Sequence, residues 1–259
     1  MVTPVRFPQG ISNAAPWQMF SGMGVENPFF YHQFADDFDE PILSTGWAVT
    51  ASTGTAAIAA GDGGVVVETT TAAAANFVSI QRPVAGFQPV AGKKLYFVAR
   101  ITLSDVVNAA FVAGLMPGST VTPFTNPANG IWISKAASTS QIVLNVANNS
   151  VVTSTNFPLN AITLTNAVSF DVGFEVTGGS AGGTAPTVRG SLSPTLVSYI
   201  PQSGTGAAGS TNRAPMVVST APLLTTLQAT VLAPILAVQT GNSSIVTLTS
   251  DFVGAFRER

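Results

Sequence analysis

The residues with the clearest chemical potential in this sequence are the acidic group at positions 36–40, which holds four of the twelve carboxylates. Carboxylate oxygens at this density can bind calcium. The candidate ligands would be Asp36, Asp37, Asp39 and Glu40, but their spacing lacks the alternate-position ligands and the glycine of an EF-hand loop. The sequence therefore assigns no metal site and no cofactor.

The same carboxylates could serve other purposes. Asp36 and Asp39 could form a carboxylate pair for glycoside hydrolysis, yet no aromatic residues stand at matching strand positions to hold a sugar. In a β-strand, Asp37 and Asp39 share one face while Phe38 points inward. This pattern favours a solvated or partner-facing edge.

The single histidine, His32, lies among aromatic residues. One imidazole cannot form the two- or three-histidine sites that zinc uses. It could act as an acid–base group, but no serine is visibly paired with it and cysteine is absent. We interpret His32 as a packed or hydrogen-bonded residue.

Two glycine-rich segments match catalytic or cofactor-binding motifs. Gly204–Gly209 fits G-x-G-x-x-G, and Gly178–Gly182 fits the G-x-S-x-G nucleophile elbow. Both motifs require a helix directly afterwards, and the elbow also requires a later histidine. Neither condition is met, so both segments are predicted to be loops and the chain is not predicted to be an enzyme.

The composition bounds the possible partners. Only 8% of the 259 residues are charged while 46% are hydrophobic, and a charge-poor surface is typical of one covered by neighbouring subunits. We therefore expect a homo-oligomer, a dimer or a trimer. With a net charge of −2 and no basic run, nucleic-acid binding is not expected. No signal peptide is predicted, because residues 1–10 have neither an apolar core nor a cleavage pattern. No membrane span is predicted either, because prolines interrupt the most apolar stretch, 214–239; we expect a soluble protein made in a cytoplasm.

Apolar residues recur with a period of two from about residue 36 onward, and helical patterns are poor. Alternation is clearest at Leu95–Leu103 and Phe170–Val176. Further strands are predicted at Gly64–Thr70, Phe77–Gln81, Ile131–Ser134, Ile142–Val146, Val151–Thr155, Val188–Ser191, Leu196–Ile200, Leu227–Val231 and Ile245–Phe256. So many short strands predict an all-β fold, a jelly-roll-like sandwich spanning residues 36–259.

Residues 1–35 are predicted to form an extended N-terminal arm. Recurrent prolines exclude a helix, while the segment carries many large apolar side chains that are costly to leave in water. We predict that at least part of the arm docks on a partner. The candidate interface residues are Phe7, Trp17, Phe20, Phe29, Phe30, Tyr31 and Phe34, together with Arg257 and Arg259 in the charged C-terminal tail.

Several segments, taken in order, resemble the concanavalin/laminin-G-like jelly rolls found among head decoration (cement) proteins of short-tailed bacteriophages. They are Phe34–Glu40, Lys94–Asp105, Phe111–Leu115, Gly130–Lys135, Ser169–Val176 and Thr249–Arg257. The resemblance implies a virion protein of the phage head without enzyme activity. It also implies homo-oligomeric contacts and binding over the joints between major capsid proteins. Lectin-type calcium and sugar ligands are not matched residue by residue.

Two alternatives remain open at this point. One is a carbohydrate-binding, receptor-binding β-sandwich module of a tail or spike, which would present coplanar aromatic residues on a concave face. The other is a different shell component such as a major capsid protein, although the long helix of the usual phage shell fold is not predicted here.

Overall fold

The computed structural model describes residues 31–40, 42–60, 64–84, 86–118, 122–157, 164–177, 187–193, 216–219 and 230–259. The predicted arm up to residue 30 lies outside these ranges, as do both glycine-rich motifs and the predicted strand Leu196–Ile200. Five of the candidate interface residues also lie outside them, namely Phe7, Trp17, Phe20, Phe29 and Phe30.

The described strands form two antiparallel sheets, one of eight strands and one of seven. In spatial order, sheet A contains β13 (Met216–Ser219), β12 (Thr187–Ser193), β11 (Ser169–Thr177), β6 (Lys94–Leu103), β15 (Thr247–Glu258), β4 (Val65–Thr70) and β3 (Gly54–Ala59), and β1 (Tyr31–Asp36) pairs with the second half of β15. Sheet B contains β10 (Val151–Asn156), β9 (Ile142–Asn148), β8 (Gly130–Lys135), β7 (Ala109–Pro117), β14 (Leu232–Thr240), β5 (Phe77–Gln81) and β2 (Ala48–Ala51). Apart from one 3-10 turn at Leu43–Thr45, the described regular structure is all β, as the sequence predicted. None of the described helical structure is long and apolar enough to span a membrane.

The core lies between the sheets and follows from the alternation in the sequence. On β6 the side chains of Leu95, Phe97 and Ile101 point inward and are fully buried. Phe97 stacks on Phe174 of β11, with ring centroids 5.3 Å apart. Phe170, also on β11, makes an edge contact with an aromatic ring of sheet B. These cross-strand and cross-sheet aromatic contacts hold the two sheets in register.

Sheet B also carries an apolar layer on its outer face. The buried residues of this layer are Val112, Met116, Trp132, Ala147, Ile235 and Ala237, and Phe124 from the connection between β7 and β8 packs against them. Strands β7 and β14 are consequently buried on both faces. We call the outer face of sheet B the front face.

The structure extends the sandwich beyond the predicted boundary at residue 36. Residues 31–35, which the sequence assigned to the arm, form β1 and pair with the end of β15 from Tyr31↔Glu258 to Asp36↔Val253. Strand β15 runs through the centre of sheet A and has a bulge between Ser250 and Phe252. The bulge allows β15 to pair with β4 along its first half and with β1 along its second half.

Candidate functional site

The acidic turn, residues 36–40, is held together by Asp36. Its Oδ1 accepts a hydrogen bond of 2.8 Å from the backbone N–H of Phe38, and its Oδ2 accepts one of 2.7 Å from Nε1 of Trp47. The first contact is an Asx-turn, which reverses the chain directly after β1. Phe38 adopts a left-handed φ of 56° and buries its ring in the core, as predicted. Asp36 is therefore committed to backbone and indole donors of its own domain.

Aromatic rings surround this turn. Phe34 makes an edge contact with Trp47 at a centroid distance of 5.6 Å, and Phe38 lies 5.7 Å from the same indole on another side. The guanidinium of Arg82 stacks over the ring of Phe34 at 4.3 Å, a cation–π contact. Phe34, a candidate interface residue, thus packs half-buried within its own domain.

The remaining carboxylates of the turn do not converge. Asp39 and Glu40 are exposed, and within the described ranges no three histidine, aspartate or glutamate side chains are placed to hold a metal ion. A pocket between Leu43, Trp47 and Ile58 has a volume of about 20 Å³, room for about one water molecule. The acidic turn is therefore held as a structural corner by the hydrogen bonds of Asp36.

Replacing Asp36 with alanine is expected to lower the free energy of unfolding by about 2–3 kcal/mol, because a charged acceptor is removed and the indole N–H loses its partner. The matched control is Asp39→Ala, three residues further along the chain and exposed, for which a change within about 0.5 kcal/mol is expected. Urea unfolding of both variants measures the difference. Equal destabilisation by the two substitutions, or stabilisation of the wild type by added calcium, would contradict this assignment.

The front face presents no open aromatic platform among the described residues. Trp132 is only 4% exposed, although it lies on the outer side of sheet B. Polar side chains on β8, β9 and β10 bond to one another beside Trp132. Asn145 Nδ2 donates to Ser134 Oγ at 2.9 Å, and Ser154 Oγ donates to Asn145 Oδ1 at 2.7 Å. The amide of Asn145 is thus paired with the hydroxyls of Ser134 and Ser154 within the sheet.

Among the described residues, Glu68 and Lys135 are buried ionisable groups that the sequence did not identify. Glu68 of β4 is fully buried and neither carboxylate oxygen has a hydrogen-bond partner; burial raises its pKa well above the usual range. Lys135 donates through Nζ to the carbonyl oxygens of Ala109 and Ala136 at 2.8 and 3.1 Å. Burial lowers the pKa of Lys135 to about 8, and the carboxylate of Asp105 opposes this shift. Both groups are closed to a substrate, since their side chains are 0% and 2% exposed.

The outer face of sheet A carries most of the paired charges. Arg100 lies between Asp171, at 2.8 Å, and Asp251, at 3.7 Å. Lys94 lies 3.4 Å from Glu175. These partly exposed pairs each contribute at most about 1 kcal/mol, and they fix the surface of the sheet instead of forming a cleft.

No protein-family model matches this sequence, and no curated protein matches it. Solved structures do match the fold. An endo-1,3-β-glucanase from Streptomyces sioyaensis has a TM-score of 0.54 at 14% identity, covering 89% of this chain and 98% of that one. Peanut lectin has a TM-score of 0.52 at 7% identity, covering 88% and 97%. The CBM2 module of the evolved Dit of Lactobacillus casei BL23 phage J-1 has a TM-score of 0.50 at 11% identity, covering 88% and 96%.

These likenesses show the fold alone. They confirm the predicted jelly-roll β-sandwich and place the chain among lectin-like folds, one of which is a phage module. Because a glucanase and a lectin share this architecture, the fold does not decide between catalysis and binding.

Proposed function

We propose that this chain is a non-enzymatic structural protein of a phage particle, a head decoration protein that binds over joints between major capsid proteins. The observation that carries the proposal is the covered front face. Its tryptophan, Trp132, is only 4% exposed and belongs to a buried apolar cluster against which Phe124 packs, so we interpret the broad surface of the sheet as a packed layer and not as a ligand cleft. A sandwich of this kind supplies area for protein contacts.

The charge pattern supports the same proposal. With only 22 Lys, Arg, Asp and Glu residues in 259, the chain has a composition like that of the core of a protein interface, where charged residues are depleted. Exposed apolar side chains are distributed over the described surface, including Ile42 and Val49. Such residues favour contact with another protein.

Absence of catalysis is part of the proposal. The ionisable groups with strongly shifted pKa values, Glu68 and Lys135, are sealed in the protein. A general acid or a nucleophile must reach a substrate atom within hydrogen-bond distance. Neither group meets that requirement in the described structure.

A second candidate is a carbohydrate-binding module of a phage tail. The likeness to a CBM2 module of a phage Dit favours it. It requires an aromatic surface open to a sugar, and Trp132 would have to be uncovered for the front face to provide one.

The test compares two kinds of partner with the same purified full chain. Phage heads assembled without this protein are incubated with it, sedimented, and heated to follow release of the packaged DNA. In parallel, the chain is applied to a glycan array. Stoichiometric sedimentation with heads and a higher temperature of DNA release are the expected results.

Each outcome separates the candidates. Glycan binding without head binding would replace the decoration proposal with the carbohydrate-binding one. Failure to bind heads and glycans alike would overturn both. Hydrolysis of an arrayed glycan would contradict the non-enzymatic assignment.

A further inference from the structure

Strand β1 has an edge that no described strand occupies. It pairs with β15 along all six of its residues, and no second partner strand is present in the described part of the chain. Its outward side chains, Gln33 and Ala35, are exposed. An edge of this kind presents unpaired backbone donors and acceptors that can extend the sheet into another chain.

Two arginines lie at one end of β1, and the carboxylate of Glu258 between them accepts a hydrogen bond of 2.9 Å from the backbone N–H of Lys94. Tyr31 pairs with Glu258, which places Arg257 and Arg259 beside the start of the strand. The pKa of His32 is lowered by its own burial and by the positive charges of these two arginines, so the arginines lie close to it. Neither arginine forms an ion pair within the described structure, and Nε of Arg257 is buried without a hydrogen-bond partner.

The other end of β1 is negatively charged. The strand ends at Asp36 and continues directly into the acidic turn. Asp39 and Glu40 are exposed there and have no cationic partner among the described residues. The two arginines and the two exposed carboxylates therefore lie at opposite ends of β1. The rise per residue of a β-strand places these ends about 20 Å apart.

The unpaired charges at the two ends of β1 differ from the charges elsewhere on sheet A, which form ion pairs. On its outer face the arginine and lysine side chains of β6, Arg100 and Lys94, are paired with carboxylates. In so charge-poor a chain, unpaired clusters of opposite sign flanking an unpaired edge call for a complementary partner.

We propose that a second copy of this chain pairs antiparallel with the free edge of β1 around a twofold axis, so that sheet A continues across the dimer. Antiparallel pairing brings the start of one β1 beside the end of the other. The acidic turn of each copy then faces Arg257 and Arg259 of its partner, and the twofold makes this contact twice. In this arrangement β15 of one copy and β1 of the other are separated by one strand and lie about 10 Å apart. An arginine side chain from one and a carboxylate side chain from the other can span that distance.

The inference is independent of the proposed function, because it concerns the free chain in solution. Its test is a charge swap followed by sedimentation equilibrium of the full chain. The first variant is Arg257→Glu with Arg259→Glu, the second is Asp39→Lys with Glu40→Lys, and the third combines all four substitutions. A control variant places negative charge at the exposed positions Ser140 and Asn156, in the β8–β9 connection and on β10.

The wild type and the control are expected to be dimers. Each single-end variant should dimerise at least about tenfold more weakly, because like charges would meet at both contacts. A one-to-one mixture of the two single-end variants should recover the wild-type affinity as a heterodimer, and the four-substitution variant should recover it as a homodimer. The amides of β1 should become protected from hydrogen exchange as the concentration rises.

Several results would overturn the proposal. They are a monomeric or trimeric wild type, single-end variants that dimerise as tightly as the wild type, or a mixture that stays monomeric. Because Asp39 and Glu40 are exposed, the second variant remains informative even if the arginine variant does not fold.

Discussion

Replacing Glu68 with glutamine is expected to remove most of the decline in stability that the wild-type protein shows as the pH rises from 4.5 toward neutrality. Glu68 lies on the inner side of β4, opposite Ala56 of β3 and Leu248 of β15. Its carboxyl group is fully buried and has no hydrogen-bond partner. Burial raises its pKa well above the usual 4.5 because the charged form would lose its hydration.

The direction of the pH effect follows from proton binding. Below pH 4.5 the carboxyl group is protonated in both the folded and the unfolded chain, and its contribution is fully present. Above that pH the unfolded chain loses the proton while the folded protein keeps it. The free energy of unfolding therefore falls by about 1.4 kcal/mol per pH unit, until the pKa of the folded state is reached.

Two variants separate ionisation from desolvation. Glu68→Gln keeps a polar group at this place but cannot ionise, whereas Glu68→Leu also removes the unpaired polar atoms. We expect the leucine variant to be more stable than the wild type at pH 7, by roughly 1–3 kcal/mol. Urea unfolding at intervals between pH 4.5 and 8 measures both effects. A glutamine variant that kept the wild-type slope would show that Glu68 is not the group responsible.

The strands that the sequence predicted are those whose two faces differ. Phe77–Gln81 has the predicted bounds, and the alternation of Leu95–Leu103 separates core from surface as expected. Strand β7 was not predicted as a separate strand because both of its faces are buried, which leaves a continuous apolar run without a period of two.

The bounds of strand β14 were predicted wrongly from the sequence for a different reason. A proline at position 234 interrupts the apolar stretch 214–239, and the strand was predicted earlier in it, at Leu227–Val231. In the structure β14 begins at Leu232, and the carbonyl of Pro234 accepts the N–H of Arg82 where β5 has just ended. Pro234 has no backbone N–H to donate, and it lies just beyond the residues of β14 that pair with β5. This position depends on the tertiary structure and cannot be derived from the local sequence.

The acidic turn could likewise be predicted only in part from the sequence. The inward position of Phe38 followed from the alternation of residues 36–40, and the buried position is confirmed. The partner of Asp36 could not be foreseen, since Trp47 is eleven positions away and reaches it only when the chain turns after β1. The burial of Glu68 could not be predicted, because the three valines before it do not indicate which face of the strand points inward.

Substituting Gly114 with alanine is expected to destabilise the protein by about 2–3 kcal/mol. Gly114 lies in the middle of β7, opposite Trp132 of β8 and Ile235 of β14. A Cβ atom at this position would lie 2.6 Å from both Cα and Cβ of Trp132 and would also collide with the carbonyl oxygen of Ile131. Because two of these atoms belong to the backbone of the neighbouring strand, a change of rotamer cannot relieve the contact.

The control is Gly92→Ala, in a turn where φ is 73° and no atom lies within 4 Å of the new Cβ. That substitution costs only the backbone strain of a left-handed residue, about 1–2 kcal/mol. Thermal unfolding at pH 7 ranks the two variants, and a Gly114 variant no less stable than the Gly92 variant would contradict the packing described for the front face. If the front face is a packed layer as proposed, the Gly114 substitution changes unfolding and leaves binding to phage heads intact below the melting temperature. If that face is instead a glycan site, the displaced Trp132 alters glycan affinity in the folded protein, and the same variant then distinguishes the two proposed functions.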